Sequence, residues 1–406
     1  MNENENPTKV NNSTLLLPLL VSTFAVTSAN SVSGLLLIEI GSSFGVSVGI
    51  AGQIRTLSYI MAIASALLLS ALSIKYNHKS LLIIGLIAST ISALGSGFSS
   101  NFTMMLLLYS INGIGMSMVL PMVYSLIAEY FSEEKRPNVI GLSIASQSSS
   151  YLIGSPIISY ISGIRGWRMT FLGYIFPVAL LSLILTTKFL PSTSGPRTKT
   201  ISTSVYDGFS QVLSNRSALA CLIGVMFSVS AFQAIVTYSV SFFRQKLQLS
   251  TGFATVYFAG ASPFFILGSL LSGRLVKRVG RKTLTVVSAF LAGIFTMLFS
   301  NITYIPVSMA FALASFVFNG MRNTAVNNLT QEQIPRLRGL MMSLYSAADN
   351  IGMAIGAGIG GYILLLYDYD ILGLSLGLLG ILSAVIFYFY TKDPTLPKVE
   401  TLSKTL

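Results

Sequence analysis

Twelve long apolar runs constrain this chain more than any other feature, because each is about as long as a helix needs to be to cross the hydrocarbon core of a bilayer. They cover residues 14–38, 49–74, 80–98, 103–128, 138–162 and 168–190, then 217–242, 252–273, 282–300, 303–328, 339–365 and 369–391. Each is apolar nearly all round and none alternates with a period of two. The expected fold class is therefore an all-α membrane protein of twelve transmembrane helices, not a β-barrel. Composition agrees: of 406 residues 52% are hydrophobic and 9% charged, against roughly 25% charged in an ordinary soluble domain. The run at 14–38 lacks a basic leader and eleven more follow it, so it is expected to stay as a span and not to be cleaved.

The formal charge of +12 does not point to nucleic acid, since the basic residues sit in short clusters between spans and not on one face. Their distribution predicts orientation instead. Nineteen lysines and arginines fall in the loops and tails on the side of both termini and four, Arg165, Arg168, Arg244 and Lys246, on the other. The termini are accordingly expected in the cytoplasm and the protein in the inner, cytoplasmic membrane.

Residues 191–216 form the longest polar gap and divide six spans from six. The expected domains are a tail at 1–13, a six-helix bundle at 14–190, a cytoplasmic linker at 191–216, a second bundle at 217–391 and a tail at 392–406. Tyr206, Phe209 and Leu213 recur at helical spacing in the linker, as in a helix lying on the inner leaflet. The halves repeat each other. Asn101-Phe102-Thr103 returns as Asn301-Ile302-Thr303, Lys75-x-Asn77-His78-Lys79 as Arg278-x-Gly280-Arg281-Lys282, Arg136 as Arg338 and Gly154 as Gly356. Parallel halves of this kind are a transporter plan with the substrate site near the midplane between them.

At these residues the chain resembles the major facilitator superfamily, over nearly its whole length. Gly273, Arg278, Gly280, Arg281 and Lys282 match that family's basic loop between spans eight and nine, and Lys75 and Lys79 belong to a worn first copy with Ile74 in place of its acid. Gly166-Trp167-Arg168, and Glu129-x-Phe131 with Arg136, resemble the drug- and sugar-efflux branch. Tyr109, four residues before Gly113, stands where that branch carries an arginine, so its usual span-four route for protons lacks that group. The resemblance implies two pseudo-symmetric six-helix bundles working by alternating access.

The basic loop has two open readings: plain topology, or a cytoplasmic gating latch in which Arg278 or Arg281 holds helix ends or acids of a neighbouring span. His78 is expected to be a solvated loop residue, not a pH sensor. Gly352, Gly356 and Gly360 at intervals of four allow close helix packing in span eleven, and Gly154 with Pro156 occupies the matching place in span five, where the proline should bend the helix.

Charges inside spans are the strongest pointers to function, because placing one in hydrocarbon costs at least about 2.5–3.5 kcal/mol. Asp349 lies eleven residues beyond Arg338, about 16 Å into its span, and Arg322 lies eight residues before Thr330, about 12 Å in from the same side. They are expected to pair in at least one conformation. The pair either neutralises two awkward charges permanently or acts as a switch for which substrate or a proton competes; intramembrane ionisable groups favour the switch. Arg55, six residues into span two, is expected to snorkel to the outer headgroups, with contact to an anionic substrate as the alternative. Tyr59 and Tyr109 accompany these charges on the expected substrate and proton pathway. Asn30, Asn112, Gln147, Gln233, Tyr238, Tyr257, Asn319 and Asn323 are candidates to line the cavity, each alternatively an interhelical hydrogen bond.

The expected function is transport, not enzymatic catalysis: one cysteine, Cys221, and one histidine supply neither a metal cluster nor a nucleophile–base pair within the spans. Short tails leave no room for a receptor domain. No ATP-binding loop is present, so a proton gradient through Asp349 is the expected energy source, with no cofactor and no metal. The expected task is efflux of a small amphipathic or sugar-like compound by a monomer in the lipid bilayer. Uptake or exchange of an organic anion, through Arg55 and Arg322, and lipid flipping or scrambling are the alternatives.

Overall fold

The computed structural model describes residues 12–191 and 205–394, so the tails at 1–11 and 395–406 and half of the linker expectation, at 192–204, lie outside the described residues. Helices account for nearly all of the rest, and no strand occurs among the described residues. In the first half these are α1 Asn12–Leu35, α2 Leu37–Phe44, α3 Val48–Ala51, α4 Gln53–Lys75, α5 His78–Gly97, α6 Phe102–Tyr130, α7 Arg136–Leu152, α8 Gly154–Arg165, α9 Trp167–Thr170 and α10 Phe176–Phe189. A π-helical turn, Phe171–Ile175, joins α9 to α10. The second half holds α11 Val205–Ser214, α12 Arg216–Gln245, α13 Thr251–Val279, α14 Arg281–Asn301, α15 Ile305–Gln333, α16 Arg338–Leu366 and α17 Tyr369–Tyr390.

Ten helical segments among the described residues are long and apolar enough to span a bilayer. An eleventh candidate is a bent pair, Leu37–Phe44 with Val48–Ala66, which meet at 109° and overlap the second expected run. The fifth expected run is divided into α7 and α8 at Ile153, and neither piece is span-length alone. The cause is local: Pro156 has no N–H to give the carbonyl of Leu152, so the helix breaks where the sequence placed a bend.

Polar residues set several starts. Asn77, Asn101, Asn215 and Asp368 each accept hydrogen bonds from backbone N–H groups of the turn they precede. Asn301, the repeat partner of Asn101, instead ends α14, where its amide donates to the Met297 carbonyl.

The chain separates into two compact units, Met1–Lys199 with Leu249–Ala259, and Thr200–Gln248 with Gly260–Leu406. The start of α13 therefore groups with the first unit: Thr255 Oγ1 donates to Ser159 Oγ at 3.0 Å and Phe258 meets the ring of Tyr151 edge to face. Within the first unit α1 packs on α7 and α10, α5 on α6 and α10, and α4 on α6. Within the second, α12 packs on α16 and α17, and α14 on α15 and α17. These four pairings repeat the first four of that set: α1 with α7 and α10, and α5 with α6 and α10.

Glycine lets backbones touch at the tightest of these contacts. A Cβ on Gly113 of α6 would fall 1.8 Å from the Ser58 carbonyl oxygen of α4. In α16, Cβ atoms on Gly352 and Gly356 would meet the carbonyls of Met226 and Ser230 of α12 at 2.7 and 2.2 Å, and one on Gly360 the ring of Tyr238. The glycine stripe thus seats α16 on α12 inside one unit, and Ser230 Oγ and Tyr238 OH fasten it by donating to the Gly352 and Ala357 carbonyls. In α11, Val212 is buried among the second unit's apolar residues while Phe209 and Leu213 are exposed; the side chain of Tyr206 lies outside the described residues.

Candidate functional site

Each unit contains one buried arginine inside a polar cluster. In the first, Arg55 of α4 is completely buried, its Nε donating to Ser33 Oγ and its Nη2 to the Asn30 carbonyl of α1, both at 2.7 Å. Tyr109 of α6 donates its hydroxyl to Ser33 Oγ at 2.9 Å and to the Ala29 carbonyl at 3.0 Å, and Tyr59 donates to Asn30 Oδ1 at 3.4 Å. Tyr151 of α7 stands close to this cluster. This corrects the snorkelling expectation for Arg55. Serine and backbone carbonyls of α1 solvate the guanidinium inside the unit, which removes any reason for it to reach the headgroups.

In the second unit Arg322 of α15 is 2% exposed, and its Nη1 donates to Ser228 Oγ of α12 at 2.5 Å. Its Nε has no hydrogen-bond partner among the described residues. Asp349 of α16 is half-buried and close enough for its charge to act on Arg322, but the expected ion pair is not formed in this structure. The guanidinium is committed to Ser228 instead. Tyr345, one turn before Asp349, donates to Asn323 Oδ1 at 3.2 Å and accepts from Asn327 Nδ2 at 3.1 Å, so the flank of α15 facing α16 is polar over more than a turn. Behind Arg322 a small cavity is rimmed by Ser228, Thr296, Asn319 and Ser383 from α12, α14, α15 and α17.

The other candidate lining residues are mostly tied down. Gln147 donates to Tyr124 OH at 3.0 Å, Gln233 to Thr237 Oγ1 at 3.3 Å and Asn319 to the Ser315 carbonyl at 2.9 Å. Tyr238 and Tyr257 are buried. Asn112 is buried with neither amide atom bonded among the described residues.

At the end where the basic loops lie, both units join a carboxylate to a nitrogen side chain between corresponding helices. In the second, Glu332 at the end of α15 takes both Nη2 bonds of Arg338 at 2.8 and 2.9 Å, and Arg281 at the start of α14 stands 3.8 Å away. In the first, Nδ1 of His78 at the start of α5 meets Glu129 at the end of α6. His78 is therefore a bonded helix-start residue and not the solvated loop residue its position implied. It replaces the arginine of the other repeat. Lys79 donates to the Leu190 carbonyl at the end of α10 at 2.5 Å, a favourable place for a cation. Arg278 is exposed, Lys282 lies over the ring of Tyr388, Gly280 adopts a φ of 86° that favours glycine, and Gly273 has open space around it. The side chain of Lys75 lies outside the described residues.

At the opposite ends each unit makes other contacts. Arg168 lies over the rings of Phe44 and Trp167 and donates to the Ser99 carbonyl, and Lys246 pairs with Asp370.

Sequence reasoning missed Ser33, Ser228, Tyr345 and Glu332. A serine in an apolar helix carries no signal of its own. Glu332 did have one: it lies 203 residues beyond Glu129, the same offset that relates Arg281 to His78.

Spanning helices in two units of repeated packing, with buried charge in each, define a duplicated membrane transporter. The sequence profile of the Major Facilitator Superfamily matches residues 19–336 and 254–405, and the chain belongs to that family. It is 24% identical over 392 residues to an uncharacterized MFS-type transporter, YwfA, of Bacillus subtilis, covering 93% of this chain and 92% of that one. A probable sugar efflux transporter of Helicobacter pylori is 24% identical over 91% of this chain and 93% of its own. The crystal structure of a D-xylose-proton symporter superposes with a TM-score of 0.77 at 17% identity, over 94% of this chain and 98% of that one, and so shares the fold.

Proposed function

We propose that this transporter exports a small amphipathic or sugar-like molecule across the cytoplasmic membrane by alternating access, driven by a proton gradient through Asp349, with both termini in the cytoplasm. The observation that carries the reading is the state of Asp349. Its carboxylate lies inside a span beside a buried arginine that is bonded elsewhere, so a proton can reach it without first displacing an ion pair. The similarity to a probable sugar efflux transporter supports the substrate class and the direction. No cofactor is required, and a monomer suffices.

Buried Arg322, joined to no carboxylate, favours a second reading, exchange of an organic anion. Reconstitution in proteoliposomes separates the two. With a panel of sugars and organic anions on one side and trapped label on the other, counterflow is expected for uncharged polyols, with acid moving opposite to substrate and reported by an internal pH dye. Asp349→Asn should abolish accumulation driven by a pH gradient. Unchanged accumulation and pH dependence in that variant would overturn the role of Asp349. Counterflow confined to carboxylates would install the anion reading, and headgroup-labelled lipid moving between leaflets would install a lipid transporter.

A further inference from the structure

Arg322 has five N–H donors and, inside its unit, one side-chain acceptor, the hydroxyl of Ser228. That hydroxyl is a fixed acceptor. Its own proton goes to the Val225 carbonyl at 3.0 Å on the same helix, which leaves its lone pairs to the guanidinium. The cavity behind Arg322 is walled by α12, α14, α15 and α17, with no residue of α16, so there is room and polar lining on the side away from Asp349. A guanidinium bonds an ionised carboxylate more strongly than a neutral hydroxyl. Arg322 on Ser228 with Asp349 nearby is therefore the arrangement expected when the carboxylate holds a proton.

We propose that Ser228 is a positioning residue, the alternative partner that takes Arg322 while Asp349 carries a proton. This rests on the proton-coupled reading above. When a proton from water forms the O–H bond of Asp349, the carboxylate loses its hold and Arg322 sits on Ser228. When the O–H bond breaks and the proton leaves to water, Arg322 gives up Ser228 and returns to Asp349, and no other covalent bond changes. The groups that face Asp349 are few. Arg322 comes from α15, Tyr345 from α16 itself, and Cys221 from α12 lies beyond Tyr345 with its thiol against Thr330 at 3.4 Å. The carboxylate of α17, Asp370, is at the far end with Lys246, and the side chain of Asp207 in α11 lies outside the described residues.

Ser228→Ala removes the alternative partner and should move Arg322 toward Asp349 by about tenfold, the worth of one hydrogen bond to a charged group. Two measurements read this. In proteoliposomes the protons moved per substrate should fall in Ser228→Ala and return in Ser228→Thr, which keeps the hydroxyl. In purified protein, Asp349→Asn should lower Tm more in the Ser228→Ala background than in the wild type, because only there does it break a standing ion pair. Equal Tm losses in the two backgrounds overturn the role of Ser228 even if transport is proton-coupled. The expected Tm difference together with no proton movement in the wild type supports the exchange of partners and overturns the proton-coupled reading alone.

Discussion

Arg55 shows what a single buried charge requires. Third in α4, with a long side chain, it could have turned to the headgroups; instead Ser33 and the Asn30 carbonyl take its N–H groups at 2.7 Å. Hydrogen bonds to charged groups contribute about 1.5–3 kcal/mol each, so Arg55→Ala is expected to lower the midpoint of thermal unfolding in detergent substantially. It also removes one of the two donors, Arg55 and Tyr109, that share Ser33 Oγ. A midpoint unchanged within error would mean that the arginine is solvated by water or headgroups after all. The arginine was legible in the sequence as a costly group needing explanation. Its partners were not, because a serine hydroxyl and a main-chain carbonyl look alike at every position until the rotation of α1 selects one of each. The same holds for His78, whose partner Glu129 lies 51 residues away at the far end of the next helix.

Among the helices, span-forming segments follow from hydropathy, while contacts follow from the absence of side chains. A Cβ on Gly356 would fall 2.2 Å from the Ser230 carbonyl, and backbone cannot swing aside. Gly356→Ala is therefore expected to push α16 off α12 and to cost about 1–3 kcal/mol, as overpacking does, read as loss of thermal stability. Gly273→Ala, with open space around that position, should leave stability unchanged or slightly raised by better helix propensity. The contrast tests packing against mere glycine content. Gly280, at a φ of 86° before α14, belongs to a third kind: an alanine there costs about 1–3 kcal/mol through backbone strain. The sequence marked all of these glycines alike. Which of them are contacts and which are turns depends on where another helix passes.

At the scale of the whole chain, the repeated packing of each unit and the matching Glu129–His78 and Glu332–Arg281 contacts argue that both halves follow one plan while differing in detail. Orientation can be tested simply, since the single native cysteine, Cys221, is fully buried and gives no background. With the proposed topology, a cysteine placed at Arg165 should react with a membrane-impermeant maleimide in intact cells, and one placed at Ser132 only after permeabilisation. The reverse pattern would invert the transporter. What the sequence by itself determined was one-dimensional: the apolar runs, the basic loops between them, the duplication and the proline that breaks span five, all set by hydropathy and backbone chemistry within a few residues. Only the tertiary structure decided the partner of each buried charge, Ser33 for Arg55 and Ser228 for Arg322, because that choice depends on helix rotation and on separations of a few ångströms between segments distant in the chain.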